Sequence, residues 1–418
     1  MKRTEELFLQ AIKASLRNRN VLWKENISLK DWQRMFALAE KHHVLPMFFE
    51  AVFYCDSMQK TTQTELKNLF QFYKRKTMHL VMLQTLKTQE FLELLSFLQE
   101  KGIQAATVKG MVCRLLYPKP DSRISGDEDI LVSEEQFQSC HEALLEFGMT
   151  PVKKDADLDK EYEVSYCKKG SPLYIEVHKH LFAPESDVYG SFNRFFEQEK
   201  CELLELDVEG SPVYTLGHTE HLFYLICHAY KHFLHCGFGI RQVCDIVLYS
   251  ERYGTEIDWE RLLCQCGEIH GDVFTAAIFK IGKKYFDFNE KKAGFPEIWK
   301  EISVDETMLL SDILAAGVYG YGSKERQHSS NITLNEVEHQ WHKKGRMPVL
   351  RTLFPSWKKM KNDFKFLKKM PWLLPVAWLM RIIKYGKDSN RSIRSNVKGT
   401  LKMGSQRIEL MKEYRIIK

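Results

Sequence analysis

Apolar positions in the first hundred residues recur at helical spacing. In LKDWQRMFALAEKHHVLPMFFEAV and in the longer LKNLFQFYKRKTMHLVMLQTLKTQEFLELLSFLQEKG they fall three and four residues apart, which predicts a helical region over 1–98 with Gly102 as its stop. The rhythm then changes. IQAATV is the short apolar run of a buried strand, GMVCRLLY a short helix closed by Pro118 and Pro120, and EDILV a second strand. Ser133, with Gln136 three residues on, is a capping-box signature that opens the helix EEQFQSCHEALLEFG. After Gly148 come MTPVKK and then EYEVSYCKK and PLYIEVHKHL, which Gly170 and Ser171 separate as in a β-hairpin. An α/β module over 99–215 is therefore expected. From about His218 the helical period returns in TEHLFYLICHAYKHFLH, IRQVCDIVLYSERY and DWERLLCQCGE, predicting helical regions over 216–300 and 301–418. The fold class is α+β, with a mixed sheet between all-helical ends.

The consecutive acids Asp127, Glu128 and Asp129 stand where the second strand begins. Side chains alternate along a strand, so Asp127 and Asp129 share a face and Glu128 points the other way. Two converging carboxylates repel unless one is protonated or a cation lies between them. Mg²⁺ suits them, because it takes oxygen ligands and is held by one or two carboxylates plus substrate phosphates. In PLYIEVHKHL the same alternation puts Tyr174, Glu176, His178 and His180 on one face, and Glu176 becomes the candidate third carboxylate, as metal ligand or general base. Three acids around two metal ions would suit in-line phosphoryl displacement. Lys109 and Gly110 form a strand-to-helix turn whose backbone amides suit a phosphate, and Arg123 adds charge nearby.

These residues also carry a likeness. VKG, then YPKPDSRISGDEDILV, then YIEVHKH resemble the nucleotidyltransferase fold of the DNA polymerase β superfamily, and more narrowly its uncharacterised bacterial nucleotidyltransferase group. LAEKHHVLPMFFEA resembles that group's N-terminal histidine motif, and HAYKHFLHCGFGIRQVCDIVLYSERYGTEIDW its C-terminal block. The resemblance implies Mg²⁺-dependent transfer of a nucleoside monophosphate from an NTP to an acceptor, with two ions expected and Mn²⁺ as a substitute. Asp127, Asp129 and Glu176 would hold the metal. Lys109, Gly110, Arg123, His178, His228, His232, Arg241 and Asp245 would contact the nucleotide, and 216–300 would bind acceptor or nucleotide. One departure is plain: better-known members carry Gly-Ser at the turn, and this chain has Gly110-Met111, so triphosphate binding there would rest on backbone amides and basic side chains.

Composition adds a second theme. The net charge of +6 conceals 21 Lys/Arg against four acids from Trp341 onward, which suits RNA, a phosphorylated substrate or anionic lipid, or else a solvated basic face. Within that segment MPWLLPVAWLM has eleven residues, flanked by Lys368, Lys369, Arg381 and Lys384. It is too short to span a bilayer and reads as a packed helix pair or an interfacial contact. The ten cysteines form no framework, Cys264 and Cys266 lack zinc-knuckle spacing, and no signal peptide opens the chain, so free thiols in a reducing cytoplasm are expected. His221, His228, His232 and His235 share one helical stripe; HAYKH has zinc-pair spacing without the glutamate of H-E-x-x-H, and the stripe lines a cleft or is a hydrogen-bonded structural feature. Besides the transferase, two further readings fit the sequence: a catalytically degenerate module that binds RNA or anionic surfaces through its basic end, and a phosphoester hydrolase.

Overall fold

The computed structural model describes all residues except 25, 154–156, 198–200, 319–323, 343–353, 355–356, 358–359, 361–363 and 388–392. The basic segment from 341 onward therefore lies partly outside the described residues. Two compact units are present: residues 1–229 with 239–318, and residues 230–238 with 319–418.

The first unit opens with α1 (Arg3–Leu16), α2 (Leu29–Lys41) and α3 (Leu45–Val52). The Ser28 hydroxyl caps α2 by accepting from the Asp31 amide. Their shared core is aromatic: Trp32, Phe36 and Phe48 are fully buried, and Phe36 stacks on Tyr73 at 3.9 Å between ring centroids. Tyr73 belongs to α4 (Thr64–Glu100), whose 37 residues end beside Gly102 at φ +75°. A left-handed residue there is the expected helix stop.

The chain then builds β1 (Ala106–Val108), α5 (Gly110–Arg114), β2 (Glu128–Leu131), α6 (Glu134–Glu146), β3 (Thr150–Pro151), β4 (Glu163–Cys167) and β5 (Tyr174–His178). The five strands form one mixed sheet in the order β1-β2-β5-β4-β3. β2 and β5 run parallel at its centre, and every other pairing is antiparallel. Ile130, Ile175 and Val177 point from one face into a core shared with Leu94 and Leu98 of α4 and Phe137 and Leu144 of α6, which leaves the opposite face of the central strands free for polar groups. Ser133 caps α6 as read from the sequence. Gln136 does not close the box; its amide nitrogen donates to Gly102 O (3.0 Å), and its amide oxygen accepts from Gln104 N (3.2 Å), so the side chain ties α6 to the turn before β1.

The hairpin β6 (Leu203–Val208) and β7 (Ser211–Leu216) follows, unforeseen from the sequence. Thr215 of β7 donates its hydroxyl to Thr107 O of β1 at 2.7 Å. Helices complete the unit: α7 (His218–His235, with its last residues in the second unit), α8 (Ile240–Tyr253), α9 (Trp259–Glu268), α10 (Asp272–Phe286) and α11 (Glu306–Ala316).

The second unit contains α12 (Lys324–His342), α13 (Leu374–Lys387) and α14 (Ile393–Glu413). Inside it Thr333 donates to Leu234 O (2.9 Å), Trp341 donates to Ile416 O (2.9 Å), and the buried Arg407 donates to Phe233 O. Among the described residues no helix is long and apolar enough to cross a membrane.

Candidate functional site

Parallel pairing of the central strands sets Asp129 directly opposite Glu176, and Leu131 opposite His178. Side chains at paired positions share a face, as do those two residues apart, so Asp129, Glu176 and His178 converge. One donor atom from each lies within 4.8 Å of the other two. His178 Nε2 is 3.1 Å from Asp129 Oδ1 and 3.9 Å from Glu176 Oε2, and its Nδ1 is 3.5 Å from Glu163 on β4. Burial, then the charges of Asp129 and Asp127, push the Glu176 carboxyl up to about 7. Burial acts on Asp129 in the same direction. There the Lys109 ammonium and His178 outweigh it and hold the carboxyl well below the usual range.

Asp127 directly precedes β2, which begins at Glu128 as the EDILV run predicts; it is half-buried, and its carboxylate is not one of the three clustered donors. Its charge still acts on Lys109, Tyr224 and Glu176.

Lys109 is placed by an unusual backbone. It sits at φ 54°, ψ −108°, a conformation glycine adopts more easily. Its N–H donates to His221 Nε2 (3.1 Å), and its carbonyl accepts from Cys113 N (2.7 Å). His221 can accept because burial lowers its imidazole to about 3 and keeps it neutral. The side chain then reaches the acids: Nζ lies 2.9 Å from Asp129 Oδ2, 3.1 Å from His228 Nε2 and 6.0 Å from the centre of the Tyr224 ring. Gln242 Nε2, on α8, is 3.2 Å from the other nitrogen of His228.

On the opposite face of β2, Glu128 is fully buried and fully engaged. It accepts from Met111 N (2.9 Å), Arg114 (2.8 Å) and Ser125 Oγ (2.8 Å), with Lys87 Nζ at 3.3 Å. Burial pushes it up, but Arg114 and Lys87 together bring it down to about 2. A Cβ on Gly110 would fall 2.0 Å from Glu128 Oε2. Gly110 is thus required for the approach of a protein carboxylate, and the Met111 amide expected to face a phosphate already binds Glu128. Lys87 also donates to Ser125 O (2.7 Å), and Gln84 Oε1 accepts from Ser125 N (2.9 Å), so α4 fixes the loop that carries Asp127.

Arg123 and Asp245, both expected at the nucleotide, are paired with each other. Two bonds of 2.8 and 2.7 Å join them, Tyr117 donates to Asp245 at 2.7 Å, Arg123 donates to Gly110 O at 3.2 Å, and all three side chains are buried. Arg241, also expected at the nucleotide, is buried and donates to Ile124 O. His232 is half-buried in the second unit, whereas His228 is in the first. Sequence reading did not single out Lys87, Arg114, Tyr224, Glu163 or Gln84. Lys87 and Gln84 offered a signal: one turn apart, they lie on the face of α4 that also carries the apolar Phe91 and Leu94.

The donor set suits a divalent cation. Two carboxylates on adjacent strands provide the oxygens that Mg²⁺ or Mn²⁺ takes, and an imidazole bonded to one of them is the outer partner that orients a ligating carboxylate. No curated protein and no solved structure matches the chain. Residues 28–287, from α2 to the end of α10, match the family model described as uncharacterised nucleotidyltransferase, and the chain belongs to that family of transferases.

Proposed function

We propose that the protein transfers a nucleoside monophosphate from an NTP to an acceptor hydroxyl, releases pyrophosphate and depends on Mg²⁺, with Mn²⁺ able to replace it. The observation that carries this is the pairing of Asp129 with Glu176 beside Lys109, a cluster of opposite charges on one sheet face. Asp129 and Glu176, with Asp127 just before β2, would hold the metal, which when bound neutralises phosphate charge and stabilises the leaving pyrophosphate. One ion or two fit the same acids. Lys109 contributes a second positive charge to the triphosphate, and its strained backbone is what aims Nζ into the site. His228 supports that ammonium at 3.1 Å. The acceptor oxygen attacks the α-phosphorus, the bond from that phosphorus to the bridging oxygen breaks, and the hydroxyl proton passes to a carboxylate oxygen of Glu176. In this reading Arg123, Asp245 and Gly110 hold the scaffold and do not touch phosphate.

Calorimetric titration of the full chain with NTP and Mg²⁺ tests it. Wild-type protein should bind, and Asp127→Ala combined with Asp129→Ala should abolish binding. Intact binding in that double variant refutes the proposal. Incubation with α-labelled NTP separates the reaction types: label on an acceptor with pyrophosphate release marks transfer, and release of free NMP marks hydrolysis. A second reading, a catalytically inactive module, draws on the Met111 amide being occupied by Glu128. It predicts no Mg²⁺-dependent NTP binding by wild-type protein and no label transfer.

A further inference from the structure

The second unit carries an apolar surface that its own core does not use. Met360, Leu367 and Ala377 form a small buried cluster, with Leu373 and Trp378 packed against it, so α13 commits one side to this core. The other side is apolar as well. Trp372, in the turn before the helix, and Val376, Leu379, Met380 and Ile383 fall at i, i+4, i+7, i+8 and i+11, which forms a single stripe. All five are exposed, Trp372 by 71% and Leu379 by 59%. A contiguous patch of this kind marks an interaction surface.

Charge selects the partner. Between residues 364 and 387 the sequence has six Lys/Arg and no acid. Lys365, Lys368 and Lys369 are exposed immediately before the stripe. A surface with an apolar interior and an anionic rim complements both features at once, and tryptophan is favoured at that boundary. RNA would use the lysines but gain little from exposed leucine, methionine and isoleucine. At 14 residues α13 is too short to cross a bilayer and would lie in its plane.

We propose that the turn at Trp372 and helix α13 form an interfacial anchor that seats the protein on anionic lipid. It is independent of the nucleotidyl-transfer reading. The test is flotation of the full chain with phosphatidylcholine vesicles made with and without phosphatidylserine. Wild-type protein should float with the anionic vesicles and bind neutral ones at least about tenfold more weakly. Leu379→Glu should reduce binding at least about tenfold, and Lys368→Glu with Lys369→Glu about fivefold or more per residue. Circular dichroism verifies that each variant is folded, and Ile383→Ser repeats the test should Leu379→Glu misfold. Failure of wild-type protein to float, or binding unchanged by both the apolar and the lysine substitutions, overturns the proposal. So does a dimer in sedimentation that Leu379→Glu dissociates, since the stripe would then belong to a second copy of the chain.

Discussion

Substituting Gly110 by alanine separates the two explanations for a glycine at the turn after β1. In most helices a glycine-to-alanine change gains roughly 0.5–1 kcal/mol. Here the added Cβ would fall 2.0 Å from Glu128 Oε2 and 2.9 Å from its Cδ. That carboxylate cannot simply swing away, because Arg114, Ser125 and the Met111 amide hold it at 2.8, 2.8 and 2.9 Å in a fully buried position. Relief of the clash means giving up the Met111 bond, about 1.5–3 kcal/mol for a charged acceptor, and weakening the Arg114 pair. Gly110→Ala should therefore destabilise the first unit by about 3 kcal/mol, a fall of roughly 5–10 °C in its thermal midpoint. In a Glu128→Ala background the same substitution meets no carboxylate, and the coupling between the two positions should reach about 2 kcal/mol. Thermal unfolding of the four proteins, followed by circular dichroism, completes the cycle. If Gly110→Ala keeps the wild-type midpoint yet loses Mg²⁺-dependent NTP binding, the glycine serves phosphate after all and the reasoning fails.

Two other substitution sets bear on the scaffold. Burial lowers His42 and His221 to about 3 in the folded protein, and each accepts a backbone N–H, from Ile240 at 3.2 Å and from Lys109 at 3.1 Å. Because these folded values lie below the unfolded value of about 6.5, their contribution is complete above that pH and lost as pH falls below it, by about 1.4 kcal/mol per pH unit per histidine. The thermal midpoint should drop between pH 7 and 5, and the drop should shrink in His42→Asn with His221→Gln; a flat wild-type profile contradicts this. Removing one partner of the buried Arg123–Asp245 pair by Asp245→Ala strands a guanidinium and the Tyr117 hydroxyl and should cost about 3–5 kcal/mol. Arg123→Met combined with Asp245→Leu should recover most of that in urea denaturation, whereas a single variant as stable as wild type would mean the pair contributes little.

Local pattern was enough to determine the elements of the core from β1 to β5. Period-two runs, Pro118 and Pro120, the Ser133 cap and the Gly170 turn are short-range signals, and each reports on chain within a few residues of itself. Alternation likewise put Glu128 on the face opposite Asp129 and Glu176 beside His178, because side-chain direction in a strand is a local property. The hairpin of β6 and β7 was missed although Glu209 and Gly210, both at positive φ, make the kind of two-residue turn that announces one.

What tertiary structure decided was which charges meet. Strand order brought Glu176 to Asp129 from 47 positions away. Helix α8 took Arg123 for its Asp245, and the buried Glu128 took the Met111 amide that the glycine turn offered. A sequence states that a residue can be ionised; its partner is fixed only when remote segments pack, because the cost of a buried charge depends on what lies within a few ångströms of it and not on its neighbours along the chain.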